Sequence, residues 1–159
     1  MALMPEPAAD NAWHAGHVAV LLDSHRHWTG RDLFAPQPTP AETAEALYHA
    51  SFVVLSHDTA ADPCFTYANR CAQALFEMPW REIVGLPSRY SAEAPAREER
   101  QRLLARVAAH GYIDDYQGVR IARSGRRFLI DQATVWNLID TAGVPLGQAA
   151  TFANWRPAL

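Results

Sequence analysis

Four of the seven histidines, His14, His17, His25 and His27, crowd one short segment. His14 and His17 stand at i,i+3, a spacing that holds a metal when a third ligand arrives. No cysteine or acidic residue completes the set at ligand spacing, so the segment reads as a polar helix face followed by a polar turn. His57 and Asp58 end an apolar run, a place where a general base can sit. Adjacent strand residues point to opposite faces, which makes the two a poor dyad. Arg120, Arg123, Arg126 and Arg127 cluster about Ser124-Gly125. Such a cluster grips a phosphate or an acidic partner, or it keeps an exposed hairpin soluble and protects its edge. His110 ends a helical stretch, where the dipole favours a cation; axial ligation of a haem is the other role for a histidine so placed. Cys64 and Cys71 read as free thiols in a reducing compartment. No HExxH, Walker loop, CxxC pair or Ser/His/Asp order is present, and no enzyme is expected.

The elements that must position these groups centre on Gly118–Trp155. β-Branched and aromatic runs are broken there at Ser124-Gly125 and Asp140-Thr141-Ala142-Gly143. Such runs predict three sequential antiparallel strands joined by hairpin turns. The middle strand alternates Phe128, Ile130, Gln132, Thr134, Trp136, Leu138 on one face with Leu129, Asp131, Ala133, Val135, Asn137, Ile139 on the other. Both faces carry apolar residues, so both sides of the sheet need cover. One side receives the helices between residues 69 and 110; the other is assigned to the helices of residues 12–50. Gln132 and Thr134 are polar groups among apolar ones, and on the helix-covered face they must bond backbone or meet a ligand.

Upstream, residues 1–11 carry prolines without periodicity and read as loose. Ala12 to about Trp28 is helical, ended at Thr29-Gly30. After the extended Ala35–Pro38 linker, Thr39-Pro40-Ala41-Glu42 is a capping box with proline at the first helical position. Two short strands follow, 51–56 and 64–68. Asn69 caps a helix stopped by Pro79, a short turn ends at Gly85, and a helix from Pro95 reaches His110. The chain divides into an N-terminal helical extension and linker, 1–50, and a sheet domain, 51–159.

Composition narrows the function classes. The 159 residues fit one domain. A net charge of -3 argues against nucleic-acid binding, which needs a basic field. No apolar run is long enough to span a bilayer, and the N-terminus has no secretory pattern. The expected location is cytoplasmic.

The order strand–strand–helix–short helix–helix–strand–strand–strand over residues 51–155 resembles a PAS-type domain. More closely, the sequence resembles the MEKHLA family, a PAS-like domain of small stand-alone bacterial proteins and of plant class III homeodomain–leucine-zipper proteins. The likeness is carried by Tyr67-Ala68-Asn69, Gly118-Val119, Ser124-Gly125-Arg126-Arg127, Asp131-Gln132-Ala133, Val135-Trp136 and Phe152-Ala153-Asn154-Trp155, with His27-Trp28-Thr29-Gly30-Arg31 as a bacterial trait. It implies an α+β fold: a five-stranded antiparallel sheet with helices on one face and the N-terminal extension over the other.

Gly85-Leu86-Pro87-Ser88-Arg89-Tyr90 is similar to the signature of flavin-binding, light-sensing PAS domains. Ser88 stands where their photoreactive cysteine would be and cannot form a thioether adduct. Arg89 matches the phosphate-contacting arginine. Arg120 and Ile130 occupy roughly the places of the flavin-holding asparagines. No obligatory cofactor is therefore expected, with flavin or haem the lesser alternatives. The resemblance implies a sensory or ligand-binding module that acts through a protein partner or homodimer. Its pocket between sheet and helices is expected to be lined by Phe76, Trp80, Ser88, Arg89, Gln132, Thr134 and Trp136. A dimerisation module without a ligand is the competing expectation.

Overall fold

The computed structural model describes residues 4–158; of the segment expected to be loose, residues 1–3 lie outside the described residues, as does residue 159. Helices α1 (Ala15–Thr29) and α2 (Pro40–Tyr48) precede strands β1 (Val53–His57) and β2 (Phe65–Ala68). Helices α3 (Arg70–Phe76), α4 (Trp80–Ile83) and α5 (Ala94–His110) follow, with a short 3-10 turn at Ser88–Ser91. The chain ends in β3 (Tyr112–Ile121), β4 (Arg127–Ile139), β5 (Pro145–Phe152) and β6 (Asn154–Pro157). The strands form one antiparallel sheet in the order β2-β1-β5-β4-β3, and β6 continues β5 along β4. The expected fifth strand is thus two short ones, interrupted at Ala153.

The cover on the two faces has local causes. On the outer face, α1 lies across β4. The Trp136 indole N–H donates to the Leu21 carbonyl (3.2 Å), the Trp28 indole to the Asn137 carbonyl (2.9 Å), and Ser24 exchanges hydrogen bonds with both backbone groups of Ile139. Gly111 is required for this seat. Its φ is +94°, and a Cβ there would stand 2.4 Å from the Trp28 ring. On the inner face α3 and α5 bring Phe76, Leu103 and Val107 against Phe128, Ile130 and Val135, all nearly inaccessible to solvent. Phe76 and Phe128 meet edge to face at 5.3 Å.

The N-terminal segment is tied down rather than loose. The Met4 carbonyl accepts from the Trp80 indole (2.8 Å), and Glu6 accepts from the Tyr48 hydroxyl (2.7 Å). α1 starts at Ala15, later than its periodicity predicts, because Ala12, Trp13 and His14 adopt left-handed backbone angles, φ +54° to +58°. Left-handed turns cost roughly 1–2 kcal/mol per non-glycine residue. Packing offsets this: the His14 ring stacks on Trp80 at 5.7 Å, and Trp13 packs against Tyr48. The histidines take structural partners. His14 Nε2 bonds the Pro5 carbonyl, His25 the Arg31 carbonyl, and His17 Nε2 lies 3.0 Å from Ser56 Oγ, which bonds Thr66 in turn.

Asn69 joins the two layers. It is fully buried and caps α3, its Oδ1 accepting from the amides of Ala72 and Val54, both at 3.1 Å. Its Nδ2 donates to the carbonyls of Leu47 in α2 and Phe52 before β1. Asn69→Ala leaves those buried groups unpaired and removes a cap, and the expected loss is about 3–5 kcal/mol of unfolding free energy in urea titration. His17 gives a pH dependence. Burial, with repulsion from His14 added, pulls its pKa down from 6.5 to about 4. The unfolded chain therefore binds the extra proton between those values, and stability present above pH 6.5 is lost as pH falls towards 4. Between pH 7.5 and 5 the His17 contribution to that loss is about 2 kcal/mol, and His17→Gln should remove it from urea curves recorded at the two pH values.

Candidate functional site

The path of β4 decides which residues face the helices. Opposite β3, Tyr116 pairs with Ala133 and Gly118 with Ile130, so β4 spends one residue more than its partner. The extra residue is a bulge at Asp131-Gln132, with Gln132 at φ +52°. A bulge reverses the alternation beyond it. Phe128 and Ile130 face the helices, and after the bulge Ala133, Val135 and Asn137 do, in place of Gln132, Thr134 and Trp136.

Between β-sheet and α5 this leaves a cavity of about 70 Å³. Its apolar wall includes Leu55, Phe76, Leu103, Ile130, Val135 and Phe152, and its polar lining includes His57, Ser91, Arg100, Tyr116, Arg120 and Gln148. Arg100 of α5 is 6% exposed and Arg120 of β3 is 8% exposed. Arg100 donates to Ser88 Oγ, and Arg120 donates to the Val119 carbonyl at 2.9 Å, with its guanidinium 5.4 Å from the Tyr116 ring centre. Burial, then the charge of Arg120, pull the Arg100 pKa down to about 10. The Tyr116 hydroxyl and His57 Nε2 are buried without a hydrogen-bond partner among the described residues. His57 Nδ1 lies 2.9 Å from the Asp58 carbonyl, which can only accept. The neutral ring thus carries its proton on Nδ1 and presents Nε2 as an acceptor. Burial, then the nearby Arg100, lower the His57 pKa. Gly118 makes room for the phenol, since a Cβ at that position would lie 2.1 Å from the Tyr116 oxygen. Gln148 is satisfied by the Leu104 carbonyl and Asn137 Oδ1.

Of the residues expected in the pocket, Phe76 lines it. Ser88 is buried next to it and holds Arg100 and the Pro63 carbonyl. Arg89 lies at the surface, paired with Asp62 at 3.1 Å. Trp80 packs with His14, Tyr48 and Tyr67 under the N-terminal segment. Gln132 is exposed at the bulge, Thr134 is half-buried opposite Thr151, and Trp136 packs under α1. The bulge corrects the last three placements together. Of the four clustered arginines, Arg123, Arg126 and Arg127 pair with Glu82, Glu77 and Glu93, whereas Arg120 turns inward. Arg100 carries no mark in the sequence; its position on α5 relative to β3 is what brings it to the cavity. Arg120 and Ile130, the two positions singled out by comparison with flavin-binding domains, do line the cavity.

These residues do not fit a flavin or a haem. Sites for ligands of that size enclose roughly 300–1,000 Å³, several times the space here, and His110 is exposed at the end of α5 rather than facing the cavity. No helix among the described residues is long and apolar enough to cross a membrane.

Comparison with known proteins agrees with this architecture. A PAS domain from Colwellia psychrerythraea superposes with a TM-score of 0.62 at 12% identity, over 74% of this chain and 94% of that one. An RNA-binding light-oxygen-voltage receptor gives 0.59 at 18% identity, over 75% of this chain and 34% of that one. At such identities the likeness shows the fold alone, that of PAS domains. In sequence, the chain is 28% identical over 131 residues to the homeobox-leucine zipper protein ATHB-14 of Arabidopsis thaliana. That alignment takes in 80% of this chain and spans 15% of the length of the plant protein. The MEKHLA domain profile matches residues 15–157, reaching from α1 to β6, and the chain belongs to the MEKHLA domain family.

Proposed function

We propose that this protein is a PAS-like sensory module whose cavity between sheet and helices takes a small molecule, and which acts by contact with another protein chain rather than by catalysis. The observation that carries this reading is the chemistry of the cavity wall. A cavity that exists only through imperfect packing is apolar and stays dry. This one has buried polar groups without partners, which are destabilising unless something pairs with them. A space of about 70 Å³ lies well below the roughly 300–1,000 Å³ of sites for drug-sized ligands. The occupant is therefore a small metabolite rather than a flavin or haem. The wall joins β1, β3, β4, β5 and α5, so an occupant touches most of the sheet at once.

Filling the cavity tests the reading. Ala133 is fully buried on the cavity wall, and Ala133→Leu places a side chain where a ligand would lie. Screened by thermal shift against small metabolites, the wild-type chain should show hits, and Ala133→Leu should lose them while still unfolding cooperatively. Equal hits from both chains, or none from wild type together with no bound mass in native mass spectrometry, would sink the proposal.

A further inference from the structure

Some arginines at the surface form ion pairs: Arg26 with Asp32, Arg31 with Asp114, Arg70 with Glu6, Arg89 with Asp62. The two arginines that are more than nine-tenths buried, Arg100 and Arg120, have no carboxylate within ion-pair distance among the described residues. An unpaired buried charge is among the most destabilising features a fold can hold. Two of like sign on one cavity add mutual repulsion. Asp62 is the carboxylate whose field reaches Arg100, and it is already committed to Arg89. Each guanidinium has five N–H donors, and among the described residues each has a single protein acceptor, Ser88 Oγ and the Val119 carbonyl.

We infer that the cavity binds a short-chain carboxylate, whose anionic end is held by Arg100, Arg120 and the Tyr116 hydroxyl and whose carbon chain lies against Phe76, Ile130 and Phe152. This rests on the reading of the cavity as a ligand site. Arginine suits the task because its planar fork matches a carboxylate with two parallel hydrogen bonds. The Tyr116 hydroxyl supplies a further donor that has no partner among the described residues. The apolar remainder of the wall selects against a free inorganic ion, which would have to shed water towards aromatic and aliphatic groups without recompense. The space limits the ligand to one smaller than a drug-sized molecule. His57 Nε2, a buried acceptor, is then available to a hydroxyl on the ligand or to a water beside it.

The test uses the full chain in a carboxylate-free buffer with sodium chloride at matched ionic strength. Straight-chain sodium carboxylates from acetate to hexanoate are compared with the corresponding amides and amines and with inorganic phosphate, by thermal shift and titration calorimetry. At least one carboxylate should raise Tm by about 5–10 °C at a hundredfold excess over its Kd, with its amide weaker and its amine inert. Arg100→Met with Arg120→Met should weaken the best carboxylate at least tenfold, and its ligand-free Tm should not fall, because it removes unpaired charges. Should that variant fail to fold, the comparison of acid, amide and amine on the wild-type chain decides alone. Amides that bind while acids do not would overturn the carboxylate and leave the ligand site standing. Phosphate binding without any carboxylate would overturn it in favour of an inorganic anion. No shift from any acid, amide or amine, with no bound mass in native mass spectrometry, would remove both.

Discussion

Strand β4 has apolar side chains on both faces, and the rest of the molecule follows from the need to keep both of them from water. A sheet in that position must be covered twice. The inner cover comes from α3 and α5. The outer cover comes from α1, anchored by the backbone bonds of Trp136, Trp28 and Ser24. The N-terminal helices are thus part of the sheet's burial, and the family match starting at residue 15 includes α1 for the same reason. A division at residue 50 separates two stretches of sequence whose side chains are interlocked. Asn69 donates to the Leu47 carbonyl, Gln73 donates to the Tyr48 hydroxyl and His17 bonds Ser56, all across it.

The bulge at Gln132 is where the fold becomes a site. A strict alternation through β4 would put Trp136 in the cavity and leave Val135 under α1. One inserted residue exchanges them, giving the indole to the outer cover and a smaller side chain to the cavity. Ala153 in the neighbouring strand interrupts at about the same level; Trp155 pairs with Ile130 on the helix face of β4, Phe152 lines the cavity, and the two rings meet at 5.9 Å. The space beneath the helices is small because aromatic rings fill its flanks. It is polar because β3 turns Arg120 and Tyr116 inward beneath Arg100 of α5.

The same hairpin shows how charge is sorted. Arg123, Arg126 and Arg127 lean on carboxylates of α4, the end of α3 and the start of α5, and they fasten the hairpin to the helical layer. Exposed ion pairs of this kind contribute little each. Their effect is to fix where Arg120 can go, and its destination is a place where charge counts for more because water is excluded.

The sequence alone was enough to determine the order of elements, the caps at Thr39 and Asn69, the two-sided burial of the sheet and the family likeness. All of these rest on local chemistry: turn residues, side-chain periodicity and capping spacing act within a few residues. The turns at Ser124-Gly125 and Asp140–Gly143 and the run of β4 were legible for that reason. The cavity was legible only in part. Phe76 was expected there, Arg120 and Ile130 were marked only by comparison with flavin-binding domains, Arg100 carried no mark at all, and Tyr116 had none beyond the glycine two residues on. Tertiary structure decided the rest. A bulge with a non-glycine residue at positive φ leaves no reliable trace in composition, and whether an arginine is paired depends on which carboxylates the fold brings near it. Burial and pairing are properties of neighbours distant in sequence, and they are what turned a sheet with two covered faces into a cavity with unpaired positive charge.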